Sequence, residues 1–265
     1  MNRTFSQEAV FQMFALVIAV IVVHAVYVTV IYPNAAAILA AQLAAMRQDP
    51  NYEAPASLFV TVRDFEPESC LILALWCLAL IGYKWRLVTR ERRLFGQQLL
   101  PIAEGMRILP EDAREYLRQI EALPAGQREL LLPRLASHTL RRFGATRSLE
   151  DVANSMHRLV EAEGNRLDSE LAVIRFIVWA IPAIGFVGTV RGIGLALRMA
   201  HRAVEGDVTP VTQFLGSAFN ATLVALLTCI VLMFLVYQLQ LIQERLALDA
   251  EAWCEEHLIR HLYVS

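Results

Sequence analysis

The sequence is short of charge. Lys, Arg, Asp and Glu supply 19% of its 265 residues, where a soluble domain carries about a quarter. Hydrophobic residues reach 56%, and they are gathered into long runs rather than spaced with a helix or strand period. That pattern excludes an ordinary soluble domain and points to membrane insertion. A net charge of -2 leaves no basic excess, so no nucleic acid is expected as a partner. The four cysteines, Cys70, Cys77, Cys229 and Cys254, lie mostly within apolar runs and show no paired spacing. They imply no disulfide framework and read as small buried hydrophobes. No phosphate loop of the form G-x-x-x-x-G-K-S/T occurs, which argues against nucleotide hydrolysis as an energy source. No nucleophile–base pair or metal cluster marks an enzyme, and no cofactor is expected. His257 and His261 are four residues apart but lack a third ligand, so no metal site is expected either.

Four apolar runs are present. Val10 to Tyr32 holds no Lys, Arg, Asp or Glu over 23 residues, enough to cross ~30 Å of hydrocarbon. It is too long for a signal-peptide core, and only Arg3 precedes it, so a retained helix is expected. The second run, Ser69 to Tyr83, is short and spans with Lys84 and Arg86 snorkelling beside Trp85. The third covers Leu171 to Met199 and the fourth Val211 to Leu239. None of the four contains an acid.

Basic residues set the expected orientation. Lys84 to Glu170 holds 15 of the 24 Lys and Arg, including the membrane-edge cluster Lys84, Arg86, Arg90, Arg92 and Arg93. Between the first two runs only Arg47 and Arg63 occur, against Asp49, Glu53, Asp64 and Glu66. The positive-inside rule then places the middle segment and both termini in the cytoplasm. The expected fold is all-α: a polytopic membrane protein with four transmembrane helices and a helical cytoplasmic domain formed by long helix extensions. The expected parts are an N-terminal transmembrane helix (1–32), a periplasmic segment (33–68), a second transmembrane helix (69–88), a cytoplasmic helical domain (89–170), a transmembrane helix pair (171–240) and a cytoplasmic helical tail (241–265).

Punctuation divides the cytoplasmic middle. Leu109-Pro110-Glu111-Asp112 is a helix start, with Pro suited to a first turn and acids to the dipole. Pro124 opens another helix, expected to stop at Gly144. Ser148 followed by Glu150 and Asp151 is a cap, and one long helix is expected from there, with Met156, Leu159, Val160, Leu167 and Leu171 as its apolar seam. In the tail, Ile242, Leu246, Trp253, Leu258 and Leu262 recur near helical spacing.

The third run contains Pro182-Ala183-Ile184-Gly185-Phe186-Val187-Gly188-Thr189-Val190-Arg191-Gly192-Ile193-Gly194, with four of the twelve glycines inside ten residues. Gly185, Gly188 and Gly192 share one side of a helix, and small residues there let another backbone approach closely. In the fourth run Ser217, Ala218, Ala221, Thr222, Ala225, Thr228 and Cys229 form a small, hydroxyl-bearing face opposite Leu223, Leu226, Leu227 and Ile230. An antiparallel pair turning near Glu205-Gly206-Asp207 brings Thr189 and Thr222 to similar depth. Thr hydroxyls also bond their own helix turn, which leaves a purely structural role open.

Pro182, Gly185, the run Gly188-Thr189-Val190 followed by Gly192-Ile193, and then Ala221-Thr222 resemble the MotA/TolQ/ExbB proton-channel family over roughly residues 150–250. The resemblance implies five such subunits, a homopentamer, around a dimer of single-span ExbD/TolR/MotB-like partners carrying a membrane Asp. It implies an ion path at Thr189 and Thr222, with Ser217 and Thr228 on the same hydroxyl face, and packing through Pro182, Gly185, Gly188, Gly192, Ala221 and Ala225. It further implies a bacterial inner-membrane motor or stator turning an ion gradient, H⁺ or Na⁺, into mechanical work. The alternative is a non-conducting membrane scaffold that docks cytoplasmic partners. Arg191 stands where such relatives often carry an aromatic or aliphatic residue; it lies about 200° round the helix from Thr189 and is expected to enter a structural ion pair. The fourth run also lacks the proline found after the threonine in many relatives. His24 is expected to pack peripherally. With no acid in the four runs, the residues themselves require the ion-holding carboxylate to come from another polypeptide.

Overall fold

A computed structural model describes residues 2–49, 52, 54–97, 99–102 and 106–264, with the backbone alone for residues 2–7. Glu53 and the Arg3 side chain, both used above, lie outside the described residues. The elements are α1 (Asn2–Val26), a π turn (Tyr27–Ile31), α2 (Tyr32–Gln48), α3 (Leu58–Thr61), α4 (Phe65–Arg92), α5 (Ala113–Glu121), α6 (Ala125–Arg128), α7 (Leu131–Thr146), α8 (Leu149–Glu170), α9 (Ala172–Arg198), α10 (Ala200–Val204), α11 (Thr209–His257) and a 3₁₀ turn (Ile259–His261). Among the described residues the extended pairing is limited to a bridge between Ile108 and Leu262. Four helical stretches are long and apolar enough to cross a membrane: Glu8–Gln48, Phe65–Arg92, Leu149–Arg198 and Thr209–His261. The protein is all-α and polytopic. Two compact units form, one of Met1–Gly82 with Val173–Val236, the other of Tyr83–Ala172 with Tyr237–Ser265.

In the first unit the N-terminal helix does not end at Tyr32. Pro33 lacks an N–H and its ring presses on the preceding turn, yet the π turn Tyr27–Ile31 immediately upstream widens the helix and lets it continue to Gln48. The Asn34 amide donates to Val30 O at 2.7 Å, satisfying a carbonyl in the disturbed turn. The expected periplasmic segment is therefore largely helix up to Gln48. The second spanning helix also starts early, at Phe65 rather than Ser69. Pro67 sits in its first turn, where no N–H is needed, and Glu66 and Glu68 flank it at the positive end of the dipole.

The second unit has a conventional core. Leu132, Leu135, Leu140 and Phe143 of α7, Val152, Met156 and Val160 of α8, and Leu246, Ala250, Cys254 and Leu258 of α11 are buried together. The α7 helix begins at Leu131, with Pro133 in its first turn, and runs through Gly144 to Thr146. The expected stop at Gly144 is thus wrong: burial of Leu140 and Phe143 holds the last turn in place, and Arg147 ends it in the left-handed region (φ 52°). Pro124 opens only the single turn of α6. Ser148 caps α8, its hydroxyl accepting from Asp151 N at 3.3 Å, and a turn at Leu171 separates α8 from α9. Lys84 does not snorkel. It is 4% exposed and its ammonium donates to Glu170 at 2.7 Å, since a carboxylate at the end of α8 satisfies a buried cation that would otherwise need water. The tail is pinned by Ile108 N to His261 O (2.7 Å) and Tyr263 N to Ile108 O (2.9 Å). His261 Nδ1 lies 3.0 Å from Met106 O, and His257 stacks on Trp253, so the two histidines have separate partners.

Candidate functional site

Two spanning helices meet through their smallest residues. A Cβ added at Gly185 would lie 2.5 Å from Ala225 Cβ; at Gly188, 2.7 Å from Ala221 Cβ; at Gly192, 2.5 Å from Ala218 Cβ. Each of these three glycines of α9 therefore receives one alanine of α11, and any larger side chain there would force the helices apart. Bulky Phe186, Val187, Val190, Phe219, Leu223, Leu226, Leu227 and Ile230 point outward. Pro182 leaves Val178 O without its helical N–H. The Cys229 thiol donates to that carbonyl at 3.5 Å and the Cys70 thiol to Ile181 O at 3.7 Å, so both cysteines do more than fill space. In hydrocarbon a carbonyl left bare is expensive.

Thr189 and Thr222 face each other across this contact, hydroxyl to hydroxyl. Thr222 donates to Gly185 O at 2.9 Å, and Thr189 Oγ1 also lies 3.3 Å from Gly185 O and 3.4 Å from Ala218 O. The pair is a hydroxyl bridge set into backbone carbonyls, and no carboxylate is among its hydrogen-bond partners. Ser217 stands one turn away and donates to Asp64. Thr228 is half-buried; six residues from Thr222, it sits ~9 Å along α11 and well round its face, so it does not join the pair.

Arg191 points away from the threonines and toward α4. Its Nε and Nη2 donate to the two oxygens of Glu66 at 2.6 and 2.9 Å. Glu66 is 3% exposed, and its Cγ lies 3.0 Å from where a Cβ on Gly188 would be. Gly188 is thus held between Ala221 and Glu66. A fork-to-fork pair of this kind neutralises both charges, with Glu66 buried and Arg191 half-exposed.

The absence of acids from the spans is corrected here. Glu66 and Glu68 belong to the first turn of α4, and Asp64 directly precedes it. Glu68 is 6% exposed and accepts from Tyr32 OH at 2.6 Å, with His24 Nδ1 at 2.7 Å. Tyr27 OH donates to Val62 O at 2.8 Å and its ring packs edge-on to Tyr32. His24, expected to pack peripherally, is in direct contact with a buried carboxylate. A run-length reading ends the span where charge begins and so discards these residues. The usable signal was Phe65-Glu66-Pro67-Glu68, the same helix-start grammar as Leu109-Pro110-Glu111-Asp112.

Four helices long and apolar enough to span define a multi-pass membrane protein, two of them joined by a glycine-to-alanine contact with a threonine pair set within it. Comparison with family models matches residues 127–252 to the MotA/TolQ/ExbB proton channel family. The match takes in α7, α8, α9 and most of α11. Comparisons with curated proteins and with solved structures returned no match.

Proposed function

We propose that this chain is a ring-forming subunit, in a homopentamer, of an ion-driven motor or stator in the bacterial inner membrane. It works with a single-span ExbD/TolR/MotB-like partner whose membrane Asp carries the ion, and both termini face the cytoplasm. The observation that carries this reading is the Thr189–Thr222 bridge at the glycine–alanine contact, inside the family segment. Hydroxyls and carbonyls can line a path, but a cation crossing hydrocarbon needs a charged or titratable station. Asp64, Glu66 and Glu68 do not supply one at the threonines: their recorded partners are Ser217 and Arg63, Arg191, and His24 with Tyr32. The carboxylate that works against Thr189 and Thr222 therefore comes from the partner. The ion is H⁺ or Na⁺. Each charge crossing ~150 mV releases about 3–4 kcal/mol, enough for one conformational step.

The test is ion uptake into vesicles holding this chain with its partner. Thr189→Val and Thr222→Val should each reduce uptake at least tenfold while the ring still purifies with a small single-span protein bearing an Asp. Unchanged uptake in both variants removes the threonines from the path. A complex that forms without any uptake in the wild type favours the non-conducting scaffold.

A further inference from the structure

Past its apolar stretch, α4 runs on through Lys84, Arg86, Arg90, Glu91 and Arg92, with Arg93 directly after. Helix geometry sorts these charges. Lys84, Val88 and Glu91 recur at four and three residues and so share one face. That face looks inward: Lys84 donates to Glu170 at 2.7 Å, Val88 is buried in the core, and Glu91 accepts from Leu131 N at 2.7 Å. Arg92, at its edge, lies 3.5 Å from Asp249. Arg86, Arg90 and Arg93 repeat the same spacing about 200° round the helix, and all three are exposed. Arg93 N still bonds to Thr89 O at 3.3 Å, so it keeps the helical placement. Arg90 uses one N–H on Gly126 O at 2.9 Å. Arg86 and Arg93 have no hydrogen-bond or ion-pair partner among the described residues.

A row of guanidinium groups without partners calls for an anion, and its depth selects which one. Trp85 stands about 30 Å along the helix from Phe65, the thickness of a hydrocarbon core. Its exposed ring (42%) therefore falls at the membrane boundary, where Trp collects. Arg86, Arg90 and Arg93 follow ~2, ~8 and ~12 Å further on, against a headgroup layer ~5–8 Å deep. Helical side chains lean toward the N-terminus of their helix. For α4 that is back toward the membrane, which brings Arg93 within reach of the same layer. No acid competes on this face, because Glu91 is the one carboxylate between Lys84 and Gln97 and it points the other way.

We propose that Arg86, Arg90 and Arg93, beside Trp85, bind the phosphate headgroup of an anionic phospholipid at the membrane face where α4 emerges. Guanidinium forks match phosphate oxygens, and the indole holds the acyl boundary next to them. The site lies outside residues 127–252 and is independent of the threonine pair. A lipid held there fixes the depth of α4 in the bilayer.

To test this, the full-length chain is reconstituted in nanodiscs of equal parts phosphatidylglycerol and phosphatidylcholine and released into mild detergent. The lipids that stay bound are counted by native mass spectrometry. The wild type should retain phosphatidylglycerol over phosphatidylcholine by about tenfold or more, since each Arg near an anionic surface contributes about fivefold. Arg86→Gln/Arg93→Gln, which breaks no recorded bond of the fold, should cut that ratio roughly tenfold. The charge-matched control Arg114→Gln/Arg118→Gln, at two exposed positions of α5, should leave it unchanged. The proposal is overturned if the wild type retains the two lipids equally, if Arg86→Gln/Arg93→Gln keeps the wild-type ratio, or if the α5 control lowers the ratio as much. None of these readouts involves ion flux, so failure here is distinct from failure of the threonine path.

Discussion

The two units bury their helices by opposite means. In the first, α9 and α11 touch through glycine and alanine, and the large side chains face outward. In the second, α7, α8 and the end of α11 touch through Leu, Ile, Met and Phe, and charged residues such as Arg141, Arg142 and Asp151 pair at the surface. The difference follows from the surrounding medium. In water, burying a large apolar side chain is itself the driving force. In lipid that gain disappears, because the hydrocarbon is as apolar as leucine; close backbone approach, dispersion contacts and interhelical hydrogen bonds remain. Polar contacts are redistributed accordingly. The spanning unit buries Glu66 and Glu68, each against a donor, and the second unit forms most of its ion pairs at the surface.

If this contrast is right, adding atoms breaks one unit and removing atoms breaks the other. The largest effect is expected from Gly185→Leu. Its Cβ alone would sit 2.5 Å from Ala225 Cβ and 3.3 Å from both Ala221 O and Thr222 Cα, and two of those three atoms are backbone that cannot rotate away. The cost should exceed the ~1–3 kcal/mol of ordinary overpacking, and hydrogen exchange should rise through α9 and the first half of α11. Protection equal to the wild type there would show that the glycine face is not the contact. A smaller loss, about 3–5 kcal/mol, is expected for Phe143→Ala, which empties a fully buried site in α7. Chemical denaturation followed at the second unit reads it, and a loss under 1 kcal/mol would mean that this core collapses around the void.

Much of this was legible in the sequence, and the misses share a cause. The threonine pair, the three glycines and their alanines are found by spacing, because helix geometry alone places residues three and four apart on one face. The Ser148 cap and the tail seam are local for the same reason. The acids of α4 escaped because hydropathy reads charge as the end of a span, whereas a first turn accepts Glu when distant residues supply the donors. Those donors, His24, Tyr32 and Arg191, lie 44, 36 and 125 residues from their carboxylates. Lys84 was misread likewise, since its partner Glu170 is 86 residues away. The π turn before Pro33 is another such case: Pro signals a break, and only the widened turn upstream converts it into a continuation.

The smallest expected effect probes the water-facing character of the second unit through acid. The His138 side chain in α7 has a buried Nδ1 without a hydrogen-bond partner, and burial, assisted by the nearby Arg142 guanidinium, pushes its pKa below the usual histidine value. The fold therefore favours the neutral imidazole. The unfolded chain protonates first as pH falls, so the unfolded state binds more protons through this window. Stability is fully present above the ordinary histidine pKa and declines as pH drops toward the folded value. Replacing His138 with Gln removes the titrating group, and the acid side of the stability–pH curve of the second unit should flatten below about pH 6.5. An identical acid limb in the variant would assign the loss to other groups, the surface pair Arg142–Asp151 among them. A lipid-embedded unit offers no comparable window, because a group there exchanges protons only where a side chain reaches water.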